Sequence, residues 1–170
     1  MKKLSHYDDS GSARMVDVSE KEATRRDARA HAFVRIRPAM LKKLPQNPKG
    51  NPLEIARFAG IAAAKKTSEL IPMCHPLMLT HADVEARVEP GGVRIVAVAS
   101  TTGQTGVEME AMTAAAVAAS ALEVAACALF VWVVLATWRG AGSPWTVPDY
   151  YVLCALAWFF GAGAYNIVVN

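Results

Sequence analysis

From residue 23 to residue 37 apolar and polar positions alternate. Ala28, Ala30, Ala32, Val34 and Ile36 fall on one side, and Arg25, Asp27, Arg29, Arg35 and Arg37 on the other. A period of two predicts a half-buried strand. Its outer face is basic, which suits either a solvated sheet surface or contact with phosphates. Ahead of it, about thirteen polar residues predict a loose start, and MVDV at 15–18 predicts a short strand. After it, KLPQNPKGNP carries three prolines and a glycine and predicts an irregular connection. Asn51 as N-cap and Pro52 at the first helical position then open a helix. Ile55, Phe58, Ala59, Ala62, Ala63 and Lys66 recur at helical spacing on it, and it should stop before Pro72. Alternation returns over 79–88. EPGG and VRIVAVAS complete a hairpin, and TTGQTG leads into an alanine-rich helix from near Val107. The order β, β, α, β, β, α with hairpin-linked strands argues for an α+β sandwich, with helices covering one face of a mostly antiparallel sheet.

The pattern changes after Glu123. Of 18 basic and 15 acidic residues only Arg139 and Asp149 follow it, and 150–170 carries no charge at all. A helix apolar on every side is a buried or a membrane helix. Residues 150–170 meet the length for crossing a bilayer, and 119–138 do so if Glu123 is included. Trp132, Trp138, Trp145, Tyr150 and Tyr151 gather around the connection, as aromatic residues do at a membrane interface. The expectation is a domain over 1–122, with 1–13 disordered, followed by an apolar helical hairpin over 123–170 that tethers it to a membrane. The rival explanations are helices buried within an oligomer, or a fused or misread coding segment.

At 170 residues there is room for one domain and an appendage. The net charge of +3 is mild, and no nucleic-acid partner is expected. Cys74, Cys127 and Cys154 form no C-x-x-C pair, so neither a disulfide framework nor a zinc knuckle is indicated. A reducing compartment fits, and the polar opening MKKLSHYDDSGSAR, with no apolar run behind its lysines, points to a cytoplasmic location.

Reactive groups concentrate at three element ends: Lys49 in PKG, Cys74 and His75 in IPMCHPLM, and Glu108 and Glu110 in TGVEME. Adjacent side chains diverge in extended backbone, which argues against a Cys74–His75 nucleophilic dyad. Zinc would need two further ligands, and His6, His31 and His81 lack the spacing. That leaves a turn held by Pro72 and Pro76 with Cys74 as a small buried hydrophobe, or a clamp on a polar ligand. TTGQTGVEME enters a helix whose free N–H groups suit a phosphate, although acidic residues in a first turn are also favoured by the helix dipole alone. Glu108 and Glu110 project to different sides. Lys49 suits a phosphate or open solvent.

Taken together, MVDVSEKEATRRDARAHAFVRI, LIPMCHPL and TGVEMEAMTAA resemble the cyclic pyranopterin monophosphate synthase family, the second enzyme of molybdenum cofactor biosynthesis, over about residues 5–120. The resemblance implies a ferredoxin-like α+β fold and a homo-oligomer, a hexamer built on dimer interfaces, with active sites between chains. It implies a lyase that converts 3',8-cyclo-7,8-dihydroguanosine triphosphate, a GTP-derived nucleotide, to cyclic pyranopterin monophosphate with release of pyrophosphate, and it implies no metal and no cofactor. By similarity Met73, Cys74, His75, Met109 and Glu110 line the substrate pocket, and Lys49, His75 and Glu110 are the catalytic candidates, Lys49 lying near the phosphates. The family's last helix continues into a Tyr-Asp-Met-Cys-Lys type motif with a catalytic aspartate and lysine. An ungapped count places Val124 and Cys127 at those positions, and no Gly-Gly-Lys-Ser-Gly loop follows. The expectation is therefore a retained pocket with impaired turnover; the alternative is a membrane-anchored, catalytically inactive nucleotide-binding or scaffold protein.

Overall fold

The computed structural model describes residues 6–47, 50–139 and 168–169, with side-chain packing described as far as residue 125. Strand β1 (Thr24–Arg35) pairs antiparallel with β3 (Gly92–Gly103) along its whole length, from Thr24↔Gly103 to Arg35↔Gly92. Strand β2 (Leu79–Glu89) pairs with the other edge of β3 through a tight hairpin, whose Gly91 sits at φ +85°, a conformation open to glycine at no steric cost. Strand β4 (Val168–Val169) lies against Ala30 and His31 of β1, giving the order β2-β3-β1-β4. Among the described residues there are four α-helices: short α1 (Pro38–Leu41), α2 (Pro52–Ala64), short α3 (Thr67–Leu70) and α4 (Glu108–Arg139). Setting the one-turn helices aside, the elements run β-α-β-β-α-β, the ferredoxin-like succession.

The predicted alternation of β1 holds: Ala28, Ala30, Ala32, Val34 and Ile36 are buried. From β3 they are joined by Val93, Ile95, Ala97 and Ala99, and from α4 by Val107, Ala111, Ala114, Ala115, Ala118, Ala119 and Leu122 in a single core. Alanines on both surfaces let helix and sheet approach closely. Helix α2 starts as its sequence predicts, Pro52 standing at its first position and the Leu53 N–H donating to Asn51 Oδ1 at 3.0 Å.

Three expectations are corrected. Residues 15–18 form no strand, and Met15 is exposed. The apolar face of α2 is also rotated from the one predicted: Ala56, Gly60, Ala63 and Ala64 are buried, whereas Ile55 is exposed and Phe58 is 70% exposed. The cause is the closeness of α4. A Cβ at Gly60 would stand 2.8 Å from the Ala114 carbonyl oxygen, 2.9 Å from Val84 Cγ2 and 3.0 Å from Ala118 Cβ, so this contact admits only the small residues.

The third correction concerns the membrane tether. Residues 119–138 are helical within α4, but the start of that stretch is core, with Ala119 and Leu122 fully buried. Among the described residues no helix is long and apolar enough to cross a membrane. Val168 and Val169 are strand, so 150–170 does not run as one helix to its end, and the rest of that stretch lies outside the described residues.

The α2–α4 contact yields a direct test. Gly60→Ala should lower stability by about 1–3 kcal/mol through overpacking, whereas Ala62→Ser, on the exposed side of the same helix, should stay within about 0.5 kcal/mol. Denaturant unfolding of the two variants beside the parent chain checks both.

Candidate functional site

Helix α2 delivers the chain to the IPMCHPLM loop, and two buried threonines anchor that loop. At its start the Thr67 hydroxyl donates back to the Ala64 carbonyl at 3.0 Å. At its end the Thr101 hydroxyl of β3 donates to the Met78 carbonyl at 2.6 Å. Between them Pro72 and Met73 occupy the middle of a turn closed by the Cys74 N–H on the Ile71 carbonyl at 3.3 Å. Met73 has φ +61° and is the only non-glycine residue at positive φ among those described. Proline second and a positive φ third are the features of a type II turn. Holding a methionine there costs on the order of 1 kcal/mol.

After this turn the adjacent thiol and imidazole part. Cys74 Sγ lies 4.0 Å from Glu110 Oε1 in the first turn of α4. His75 instead has its Nε2 2.9 Å from the Val16 carbonyl oxygen. A carbonyl only accepts, so Nε2 carries the proton in this contact and Nδ1 holds the ring's lone pair.

Glu110 is 3% exposed, and its Oε2 has no hydrogen-bond partner among the described residues. Burial pushes its carboxyl above the ordinary carboxylate range. Its own backbone N–H works against that shift, and the charge of Glu108 adds to it. Burial, followed by the Glu110 charge, raises the Cys74 thiol. Both shifts favour the protonated forms, and the raised thiol makes Cys74 a poorer nucleophile than a free cysteine. Glu108, one residue before Met109, is exposed, as different sides of the helix require.

On its other side His75 borders a cleft of about 370 Å³ lined also by Met15, Val16, Asp17, Val18, Ser19 and Gln104. Asp17 Oδ1 accepts from the Ser19 N–H at 2.9 Å and from its hydroxyl at 2.6 Å. The hydroxyl is the main reason its carboxyl sits below the usual range, and the nearby His75 lowers it further. Gln104 Nε2 donates to the Ser19 carbonyl at 3.3 Å. None of the residues at 16–19, nor Gln104, stood out as a site residue in the sequence. The available signal was Asp-x-Ser, the pattern of a side chain bonding its own backbone two residues on.

Of the candidates, then, Cys74 and Glu110 are brought together, while His75 faces the cleft under residues 15–19. Met73 and Met109 are partly exposed at the loop and at the helix start. Lys49 lies outside the described residues. Val124 is 58% exposed, and the Cys127 side chain lies outside the described residues. Glu123, beside Val124, has a buried Oε1 without a partner among the described residues, and burial raises its carboxyl. Among the described residues no group of three or more His, Cys, Asp or Glu is placed to hold a metal ion.

The MoaC family model matches residues 15–124. A cyclic pyranopterin monophosphate synthase of Pelotomaculum thermopropionicum is 56% identical over 126 residues, covering 72% of this chain and 74% of its own length. Proteins of the same name match from Roseiflexus sp., 53% identical over 123 residues (70% and 78%), and from Parvibaculum lavamentivorans, 51% identical over 120 residues (68% and 75%).

The buried Glu110 predicts a pH dependence of stability. Its folded pKa is raised, so between the ordinary carboxylate pKa and the raised value the native state keeps a proton that the unfolded state has released. Stability therefore falls as pH rises through that window. Glu110→Gln keeps a neutral group of the same shape. The variant should match the parent at about pH 4 and exceed it above the window, by on the order of 1 kcal/mol for each unit of displacement. Thermal melts of both proteins from about pH 4 to pH 8 check the sign.

Proposed function

The chain belongs to the MoaC family, and from that premise we propose that it acts in molybdenum cofactor biosynthesis as a cyclic pyranopterin monophosphate synthase. The reaction is the conversion of 3',8-cyclo-7,8-dihydroguanosine triphosphate to cyclic pyranopterin monophosphate with loss of pyrophosphate. The observation that carries this reading is the match over residues 15–124, which spans the His75 loop and the start of α4. A biosynthetic role on a soluble nucleotide fits the cytoplasm.

In this reading Met73, Cys74, His75, Met109 and Glu110 bound the substrate, and Lys49 meets its phosphates. Breaking C–N and P–O bonds needs groups that pass protons. His75 supplies one through Nδ1, its Nε2 being committed to Val16. Glu110 supplies another, because burial raises its carboxyl toward the range in which a carboxylic acid can donate. Assembly into a homo-oligomer with sites between chains is part of the same proposal. The exposure of Ile55 and Phe58 on α2 supports it, because apolar side chains gathered on one helix face suit a partner surface.

Val124 and Cys127 stand where the resemblance expects an aspartate and a lysine, so turnover should be impaired. A second reading follows from the same pair: a protein that binds the nucleotide triphosphate without converting it. The exposed Val124 side chain favours it, since an isopropyl group in that position has no proton to give. No membrane anchor is part of this second reading.

One assay separates the two. Purified full-length chain given the cyclised triphosphate should release pyrophosphate about 10² to 10⁴ times more slowly than a MoaC relative that carries the aspartate and lysine. Binding without any release selects the second reading, and a rate equal to the relative's overturns the assignment of impairment.

A further inference from the structure

We infer that Gln104 is a positioning residue for His75, acting through a strap made of residues 15–19. The strap crosses the cleft between the IPMCHPLM loop and the turn before α4, and three contacts fix it. The Val16 carbonyl holds the His75 ring at Nε2. The Asp17 carboxylate closes the strap's turn on the Ser19 N–H and hydroxyl. Gln104 then latches the Ser19 carbonyl from the far wall. Beyond these contacts the Val18 carbonyl accepts from the Lys21 N–H at 3.0 Å, while Met15, Asp17 and Ser19 are exposed and 15–18 pair with no strand.

An exposed segment held by so few bonds samples open states readily. The latch therefore decides how much of the time Val16 is in place to receive the imidazole N–H. With the carbonyl in place, the ring has one tautomer and one orientation, its lone pair on Nδ1. With the strap open, the ring is free to turn and to exchange its proton with water. Gln104 also stands just ahead of the helix that carries Glu110. The turn before α4 and the first turn of α4 thus reach the two sides of IPMCHPLM separately, Gln104 through the strap to His75 and Glu110 directly to Cys74.

The use of Nδ1 in proton transfer rests on the synthase reading, but the positioning itself does not, and its test needs no turnover. The full-length chain, labelled with nitrogen-15 and with His75 assigned by His75→Gln, is examined by NMR at a pH where the ring is neutral. The expected result is an Nε2–H resonance protected from exchange with water and an unprotonated Nδ1. Gln104→Glu keeps the size of the side chain but offers an acceptor to the Ser19 carbonyl, so it should speed exchange of that proton about three- to tenfold, the worth of one hydrogen bond. Gln104→Arg restores a donor and should return exchange toward the parent value. A protonated Nδ1 in the parent, or Gln104→Glu with unchanged exchange, overturns the proposal. A residue that only fills space would not distinguish glutamate from arginine in this order.

Discussion

The close contact of α2 with α4 is the constraint from which the rest of the arrangement follows. Gly60 lies against the Ala114 carbonyl and Ala118 with no space for even a methyl group, and Ala56, Ala63 and Ala64 continue the same narrow seam. Both helices thereby settle onto an alanine-lined sheet. Because only the one-turn α3 separates the end of α2 from the IPMCHPLM loop, the distance between α2 and α4 bears on how far Cys74 stands from Glu110. Larger side chains in the seam would move the loop from the helix that carries its partner, and a contact already at 4.0 Å has little reach to spare.

That geometry divides one short sequence between two environments. Cys74 turns inward to a buried carboxyl, where burial raises the pKa of both groups. His75 turns outward to a wet cleft, where a backbone carbonyl sets its tautomer. Successive residues of extended chain point to opposite sides, so the loop does this with no special machinery beyond the turn at Met73. Left-handed strain in a non-glycine residue persists only where the surroundings over-determine it. The Thr67 and Thr101 anchors at either end provide that determination.

Much of the fold was legible because strand β1 has a single task. Its alternation of alanine and arginine has one solution, with the alanines inward, and the observed burial follows it residue by residue. Helix α2 was legible in its ends but not in its phase. Asn51 and Pro52 act locally and mark its start unambiguously, whereas the helical spacing of Ile55, Phe58, Ala59, Ala62 and Ala63 does not mark the buried face, Ile55 and Phe58 being exposed. Here selection for close approach reversed the usual preference, and glycine and alanine took the interior. MVDV was misread because four residues of apolar alternation suit a strand and an exposed strap equally well. The positive φ of Met73 was invisible, since only glycine or asparagine announces that conformation in a sequence. Cys74 and Glu110 were readable as candidates separately, but their convergence depends on the α2–α4 distance, which no local pattern encodes.

Helix α4 also explains why the core is insensitive to the residue at position 124. The residues that close the core run from Val107 to Leu122 in steps of three and four, and every one of them precedes the point where the resemblance breaks. Ser120 and Val124 already face outward. Exchanging an aspartate for Val124 therefore removes no core contact and leaves no cavity, so the sheet, the seam and the Cys74–Glu110 pair are energetically indifferent to it. Glu123 is a poor stand-in for an acid at position 124, because one residue along a helix rotates a side chain by about 100°, and its own Oε1 is buried and meets no donor among the described residues. The packing of the core thus ends before the position where the resemblance breaks, so a family match that ends at residue 124 coincides with an intact core.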